Sequence, residues 1–288
     1  MACHYNLHYS CTKKGVEMDN VREMIKAGNL AEARKCLNDK VKSSPSDFKA
    51  RTLLFQVLAL YGEWDKARRQ LELVAGQDME KDLGAQVYLN LVQAEKERLE
   101  AYQGKKQPSF VPELPAYFDT YENARKKMEH AEWEQAETLF SQVEAQRPLI
   151  SGTLNGQTFS GIRDTDSCLA YFLEVFAHTR YLRVPFECIR ELSIETPKTL
   201  LDLLWIPGRI TTWEGLTLNG FLPVLYAESW LQENDLLKLG HSTEWLPLGN
   251  GFCRGMGQHV FQVGEEEIGL LEIREMVFNN RVPLENKQ

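Results

Sequence analysis

The chain has 288 residues, 43% of them apolar, and a net charge of −8, which suits about two globular domains with ordinary buried cores. Its 33 basic residues are scattered among 41 acidic ones without forming a basic stripe, which argues against nucleic acid as a partner. No run of about 18 apolar residues occurs and no apolar segment follows Met1, so we expect neither a membrane span nor a secretory signal. We therefore expect a cytoplasmic protein whose six irregularly spaced cysteines are reduced thiols.

Residues 1–17 show little helical or strand periodicity and precede the first predicted helix. They contain four potential metal ligands within nine residues: Cys3, His4, His8 and Cys11. Soft nitrogen and sulfur ligands can hold zinc, but the closely spaced pairs of a zinc finger are missing and no apolar segment surrounds the ligands to order a site. We therefore predict a disordered tail, or a start codon assigned too early, with a zinc site as the alternative.

A repeat with a period of 34 residues follows. Gly28 and Gly62 are 34 residues apart, and so are Ala33 and Ala67. This is the period of a tetratricopeptide helical hairpin, in which a glycine allows a tight turn and an alanine lets the two helices approach closely. We therefore predict a tetratricopeptide-like all-α domain over residues 18–150.

The predicted helices of this domain follow its apolar periodicity. Ser46 or Asp47 is expected to cap the helix that follows it. The third copy of the repeat is weaker, because Ala131 stands where the turn glycine is expected. The charged run 94–100 is predicted to be an exposed, ion-paired surface, followed by a proline-containing connector. Helices are predicted at about 19–26, 30–41, 116–129 and 133–145, with others around 54–61 and 64–74 and one beginning near 83.

Polar residues recur at helical spacing on faces opposite to the apolar stripes. In a stacked repeat, such positions line the inner, concave surface, where these arrays bind extended or helical peptides. An ordinary solvated helix face is the alternative for each residue. On repeat geometry alone, the groove candidates are Lys49, Gln56, Gln86, Asn90 and Gln93.

Beyond residue 150 the periodicity changes from helical to alternating. Residues 151–156 are rich in turn formers, so we place the domain boundary near residue 150. We predict a predominantly antiparallel, β-rich α+β domain over residues 151–288. The elements expected in it are hairpins at 172–184 and 209–218, a short helix at 186–192, an edge strand at 223–226 and C-terminal strands at 259–263 and 268–278.

Two pairs of residues in this domain could carry chemistry. Asp164 and Asp166 could share a metal or divide acid and base roles, but no further ligand is near, and an Asp at a turn more often binds backbone amides. Cys168 and His178 could form a nucleophile and a base. Ten residues of strand would separate them by about 30 Å, so we expect Cys168 to be a small buried apolar side chain instead.

No cofactor is expected from the sequence. The glycine-rich residues 249–257 lack the lysine and the serine or threonine of a phosphate loop, and no clear helix follows, so they are predicted to be a strand-connecting loop. No zinc-protease, hydrolase-elbow or dinucleotide signature is present. We therefore predict that the protein is not an enzyme, with a hydrolase or metal-dependent enzyme centred on Asp164 and Asp166 as the alternative.

A succession of short motifs runs from about Met18 to Phe278. They are residues 62–67 (GEWDKA), 155–159 (NGQTF), Ile162, Asp164 to Asp166, Arg180 and Tyr181, 184–187 (VPFE), 205–207 (WIP) and 271–278 (LEIREMVF). In combination, this succession resembles the ImpE/SciE/TagJ family of accessory proteins of the bacterial type VI secretion system. One departure is Cys168, two residues after the second Asp, where the family pattern tends to have arginine.

The resemblance implies a non-enzymatic adaptor that binds the small subunit of the contractile sheath through that subunit's N-terminal helix. Such a protein would influence disassembly of the sheath by the AAA+ ATPase. A helical repeat with a groove is compatible with this expectation, because it offers a surface for a partner helix. A homo-oligomeric scaffold that dimerises through the β-rich domain is a further alternative.

Overall fold

The computed structural model describes residues 18–75 and 79–279. The chain divides after Gln86 into two compact units. This division falls before the boundary predicted near residue 150, because the last two long helices pack against the sheet that follows them. Separate domains over 18–150 and 151–288 stay a prediction.

The first unit contains two helical hairpins. Gly28 and Gly62 turn the chain between the helices with φ angles of 79° and 65°, in the left-handed region that glycine adopts readily. Ala33 and Ala67 are completely buried, so the partner helices approach closely there. The predicted turns are confirmed, whereas the tetratricopeptide-like character of the repeat stays a prediction. The four helices are α1 (Met18–Lys26), α2 (Leu30–Ser43), α3 (Phe48–Leu60) and α4 (Trp64–Val74).

Helix α3 lies at the centre of this unit, since eight of its 13 residues are buried. Asp47 is the residue that caps it, because the Asp47 carboxylate accepts a hydrogen bond from the Ala50 amide at 3.0 Å. This bond satisfies one of the amide groups that have no partner within the first turn of a helix.

A third helical hairpin lies in the second unit, after the long helix α5 (Met79–Tyr102). It consists of α6 (Phe118–Glu129) and α7 (Trp133–Gln146). Ala131 occupies its turn with a φ angle of 58°, so an alanine here takes the left-handed conformation that glycine takes in the other two hairpins. The hairpin packs on the sheet through Tyr121, whose ring lies 5.0 Å from that of Phe172.

The strands of the second unit form a large sheet with smaller pieces beside it. In the described part of the chain they are β1 (Ser109–Phe110), β2 (Ser151–Leu154), β3 (Gln157–Ser160), β4 (Ile162–Asp164), β5 (Phe172–Ala177), β6 (Arg180–Pro185), β7 (Ile189–Ile194), β8 (Trp205–Thr212), β9 (Thr217–Pro223), β10 (Thr243–Gly249), β11 (Phe252–Gly257), β12 (Val260–Val263), β13 (Glu266–Gly269) and β14 (Glu275–Phe278), with helix α8 (Asp235–Lys238) between β9 and β10.

Among these strands, nine form one sheet in the order β1-β6-β5-β9-β8-β7-β14-β2-β3. Neighbouring strands are antiparallel except β1 and β6, which are parallel. Strands β13, β12 and β4 form a second sheet, and β10 pairs with β11. The fold class is therefore α+β with a helical N-terminal part, as the sequence predicts.

Both hairpins predicted in the middle of the β-rich region are confirmed. Ala177 pairs with Arg180 across the β5–β6 turn, and Thr211 pairs with Thr217 across the β8–β9 turn. The first turn has two residues, which suits the right-handed twist of the strands that it joins. His178 in this turn has a φ angle of 54°.

Two other predicted elements are wrong. The short helix predicted at 186–192 is a single helical turn, Phe186–Cys188, followed by β7. Ile189, Leu192 and Ile194 of this strand point into the core, so apolar burial decides in favour of a strand. The edge strand predicted at 223–226 is replaced by one isolated bridge between Leu225 and Gln258.

None of the helices in the described ranges combines the length and apolar character that a membrane-spanning helix needs.

Candidate functional site

The five groove candidates lie on two helices. Lys49 and Gln56 are on α3, and Gln86, Asn90 and Gln93 are on α5. Gln56 and Asn90 are partly buried, and the other three are exposed. Spacings of four and three residues put the α5 side chains on one face of that helix. Their membership of one groove stays a prediction, because the boundary between the compact units passes through α5.

A basic cleft between α2 and α4 in the first unit was missed by the sequence patterns. Its cavity has a volume of 700 Å³. The charged residues on its walls are Arg34, Lys35, Asp39, Lys42, Lys66 and Arg69. Arg34 and Lys66 both bind Glu63, and the other three basic side chains form no ion pair with any described residue. The cleft is therefore a positively charged surface on an acidic chain, and the recurrence of Lys35 and Lys42 seven residues apart is the signal that could have found it.

The two carboxylates of the candidate catalytic pair are buried and hold a turn. Asp164 accepts hydrogen bonds from the Asp166 amide at 2.8 Å and the Tyr226 hydroxyl at 2.7 Å. Asp166 accepts from the amides of Cys168 and Gly255 at 2.7 and 3.0 Å. Each Asp side chain is at most 2% exposed. Both carboxylates therefore fix the backbone, which is the role that an Asp at a turn most often has.

The structure gives Cys168 and His178 separate surroundings. Cys168 is buried, and burial together with the neighbouring Asp166 raises the pKa of its thiol to about 12. A thiol with this pKa is neutral near pH 7 and is a poor nucleophile. His178 is exposed in the β5–β6 turn. Cys168 is thus the small buried side chain that the sequence predicts.

His259 lies between two buried carboxylates. Its Nδ1 is 2.8 Å from Asp164 Oδ2, and its Nε2 is 3.1 Å from Glu174 Oε2. Burial alone would lower the pKa of His259, but Asp164 and Glu174 outweigh it and raise the pKa from 6.5 to about 9. The ring is therefore an imidazolium at neutral pH and donates hydrogen bonds from both nitrogens.

Arg98 on α5 completes this buried cluster. Its guanidinium donates to Glu174 at 2.6 Å, to Glu95 at 3.1 Å and to the Leu225 carbonyl at 2.8 Å. Burial opposes the charge on Glu174, but Arg98 outweighs it and holds the pKa of that carboxyl well below its usual range. We call this set of side chains the polar hub: Glu95, Arg98, Asp164, Glu174, Tyr226 and His259.

The exposed surface predicted at 94–100 is therefore wrong. Arg98 is only 2% exposed, and Glu95 and Glu97 are also buried. The apolar neighbours of the run, Ala94 and Ala101, are buried as well, which is the signal that could have placed this helix face inside. Charge alone misled the prediction, because buried charges are rare but stable when they are paired.

The glycine-rich segment is a hairpin. Asn250 and Gly251 form its turn, as predicted for a strand-connecting loop, but β10 extends to Gly249 and β11 begins at Phe252, so the rest of that prediction is wrong. Gly255 is required by packing, since a Cβ atom there would lie 2.2 Å from the Tyr226 ring.

No group of three or more His, Cys, Asp or Glu side chains within 18–75 and 79–279 is arranged to hold a metal ion. The possible zinc ligands Cys3, His4, His8 and Cys11 lie outside the described residues.

The fold and these sites define an α+β protein whose clustered ionisable side chains are buried and paired with one another, and whose first unit carries a basic cleft. A family model described as the ImpE protein matches residues 156–277. The type VI secretion system accessory component TagJ of Pseudomonas aeruginosa is 31% identical over 256 residues, which cover 89% of this chain and 90% of that protein.

The chain therefore belongs to the ImpE/TagJ family. A crystal structure of protein VPA1032 from Vibrio parahaemolyticus has the same fold, with a TM-score of 0.81 and 26% sequence identity. The similarity covers 92% of this chain and 99% of that one.

Proposed function

We propose that this protein is a non-enzymatic adaptor of the bacterial type VI secretion system and binds the small subunit of the contractile sheath through that subunit's N-terminal helix. The protein would be cytoplasmic, and through the sheath it would act indirectly with the AAA+ ATPase that disassembles the sheath. The observation that carries the proposal is the similarity to an accessory component of this system across both compact units.

Two surfaces of the protein are suited to binding a partner helix. Helical hairpins offer grooves into which the apolar or charged face of a partner helix can dock. The predicted groove contributes the exposed side chains Lys49, Gln86 and Gln93. The basic cleft between α2 and α4 contributes Lys35 and Lys42.

The alternative enzyme centred on Asp164 and Asp166 has little support from the geometry. An acid–base pair needs a substrate within hydrogen-bond reach. These carboxylates are buried and their oxygens accept from backbone amides, Tyr226 and His259. Burial and the neighbouring Asp164 raise the pKa of Asp166 to about 6, and networks of buried groups shift pKa values in structural sites as well as in catalytic ones.

The experiment is fluorescence anisotropy of a labelled peptide from the N-terminal helix of the sheath small subunit, titrated with the full chain. A groove variant, K49A/Q86A/Q93A, removes the predicted contacts. A cleft variant, K35E/K42E/R69E, reverses the unpaired charges of the basic cleft. A control variant, K105E/K198E/R209E, makes the same change in net charge at exposed positions of the second unit.

We expect saturable binding by the full chain, unchanged in the control variant and weakened at least tenfold in the groove variant, the equivalent of about 1.4 kcal/mol. A loss confined to the cleft variant would keep sheath binding and move its site to the basic cleft. No saturable binding by the folded chain would contradict the proposal.

A further inference from the structure

A second cavity lies in the second unit and includes none of the groove or cleft residues. It has a volume of 490 Å³ and is formed by the end of α5, the α6–α7 turn and the β10–β11 hairpin. This volume falls within the range of small-molecule sites. The residues that shape it include Tyr102, Met128, Trp133, Glu228, Leu248 and Arg254.

Two hydrogen-bond donors on residues that line this cavity are buried and have no partner. Among the described residues, neither the Tyr102 hydroxyl nor Arg254 Nε has a hydrogen-bond partner. The two side chains are adjacent, because the Arg254 guanidinium lies over the Tyr102 ring at 4.5 Å from its centroid. Buried donors without a partner are rare in folded proteins, so this pair needs an acceptor, which a water molecule or a ligand group could supply.

The neighbours of Arg254 do not supply a strong acceptor. Asp166 interacts with Arg254 through space, but the Asp166 oxygens accept from the amides of Cys168 and Gly255. Arg254 donates a hydrogen bond to the Cys168 thiol, which is a weak acceptor. An arginine whose Nε has no partner is suited to a carboxylate, whose two oxygens match the guanidinium geometry.

Two residues that line the cavity have an unusual backbone conformation. Ala131 and Glu228 both line it, and both have left-handed φ angles, 58° and 65°. Such conformations in residues other than glycine cluster at ligand sites. The Trp133 ring is fixed against Gly249, where a Cβ atom would lie only 2.7 Å from it.

The lining of the cavity carries hydrogen-bond donors as well as negatively charged carboxylates. Arg254 and Tyr102 supply donors, while Glu129 and Glu228 add two carboxylates to the lining, of which Glu129 is also ion-paired with Arg125. Glu228 accepts a hydrogen bond from Gln103 at 3.0 Å, which orients it. A molecule with an anionic group at one end and a cationic group at the other matches this arrangement.

We propose that this cavity binds a small zwitterion of the α-amino acid type with an apolar or aromatic side chain. Its carboxylate accepts from Arg254 and Tyr102, its ammonium group lies near Glu129 and Glu228, and its side chain packs on Trp133. The proposal is independent of sheath binding, because it uses other residues and another ligand.

The test is saturation-transfer NMR of the full chain with the twenty amino acids, phenylacetate and phenethylamine. The last two keep the aromatic ring of phenylalanine but lack the ammonium and the carboxylate, respectively. We expect at least one apolar or aromatic amino acid to bind saturably, and phenethylamine not to bind. Tyr102→Phe removes only a hydroxyl, and we expect it to weaken binding about tenfold. Arg254→Met should weaken it more.

Arg209→Met is the matched control, since Arg209 is an exposed arginine on β8. It should leave binding unchanged. Circular dichroism checks that each variant is folded, and Tyr102→Phe keeps the test valid if Arg254→Met does not fold. Three results would each overturn the proposal: no saturable binding of any amino acid, equal binding of phenethylamine, or unchanged affinity in folded Tyr102→Phe.

Discussion

Replacing Arg98 by methionine should destabilise the second unit strongly, because it leaves buried carboxylates without their main counter-charge. Methionine keeps much of the side-chain volume but cannot donate to Glu174, Glu95 or the Leu225 carbonyl. Removing one partner of a buried ion pair costs about 3–5 kcal/mol. His259 remains beside Glu174 and offsets part of the loss, so we expect the lower end of this range.

The assay is urea unfolding of the full chain followed by near-ultraviolet circular dichroism, together with the melting temperature. A loss of about 3 kcal/mol corresponds to a fall in Tm of roughly 6–12 °C for a unit of this size. Arg209→Met is the control, since removal of an exposed arginine should change the free energy of unfolding by less than about 0.5 kcal/mol. If Arg98→Met stays within about 1 kcal/mol of the unmodified chain, the polar hub does not stabilise the fold in the way described.

Three further predictions follow from individual residues. The folded pKa of His259, about 9, lies above its ordinary value of 6.5, so its contribution to stability is fully present below pH 6.5 and is lost as pH rises through 9. The urea midpoint should therefore fall over this pH window. The fall should be smaller in His259→Gln. Ala131→Gly should stabilise the protein by about 1 kcal/mol, because glycine adopts a φ of 58° without strain. Ala145→Gly, on an exposed turn of α7, should destabilise the protein by up to about 1 kcal/mol. A higher melting temperature for Ala145→Gly than for Ala131→Gly would contradict this. Gly255→Ala should displace the Tyr226 ring from its 2.7 Å hydrogen bond with Asp164 and lower the urea midpoint, while Gly251→Ala, in open space but at a left-handed φ of 80°, should cost only about 1 kcal/mol of backbone strain.

Local signals were sufficient for most of the secondary structure. The 34-residue spacing located the turns at Gly28 and Gly62, and the alternation of apolar residues located both central hairpins. These features depend on neighbours in the chain, so one sequence contains the information needed. The strand at Ile189–Ile194 was missed because a short apolar run is compatible with a helix or a strand, and the pairing with β8 and β14 decides.

The sites depend on contacts between distant residues, and the sequence could not supply them. Arg98 and Glu174 are 76 positions apart, and Arg98 and His259 are 161 apart. Nothing near Arg98 in the sequence identifies these partners, so its charge predicted an exposed surface. Tyr102 and Arg254 are likewise distant, and their unused donors are recognised only when the surrounding atoms are known.

A shifted pKa does not by itself mark a binding site in this protein. The polar hub contains strongly shifted groups, including His259 with a pKa of about 9, yet all its members are buried and hydrogen-bonded to one another or to backbone. Their hydrogen bonds are already formed within the fold, so an external ligand would have to break these bonds to contact the side chains. Tyr102 and Arg254 differ from them, because the Tyr102 hydroxyl and Arg254 Nε have no described partner and the two residues line an open cavity. Unsatisfied groups beside a cavity, rather than shifted pKa values alone, therefore indicate where this fold can bind a small molecule.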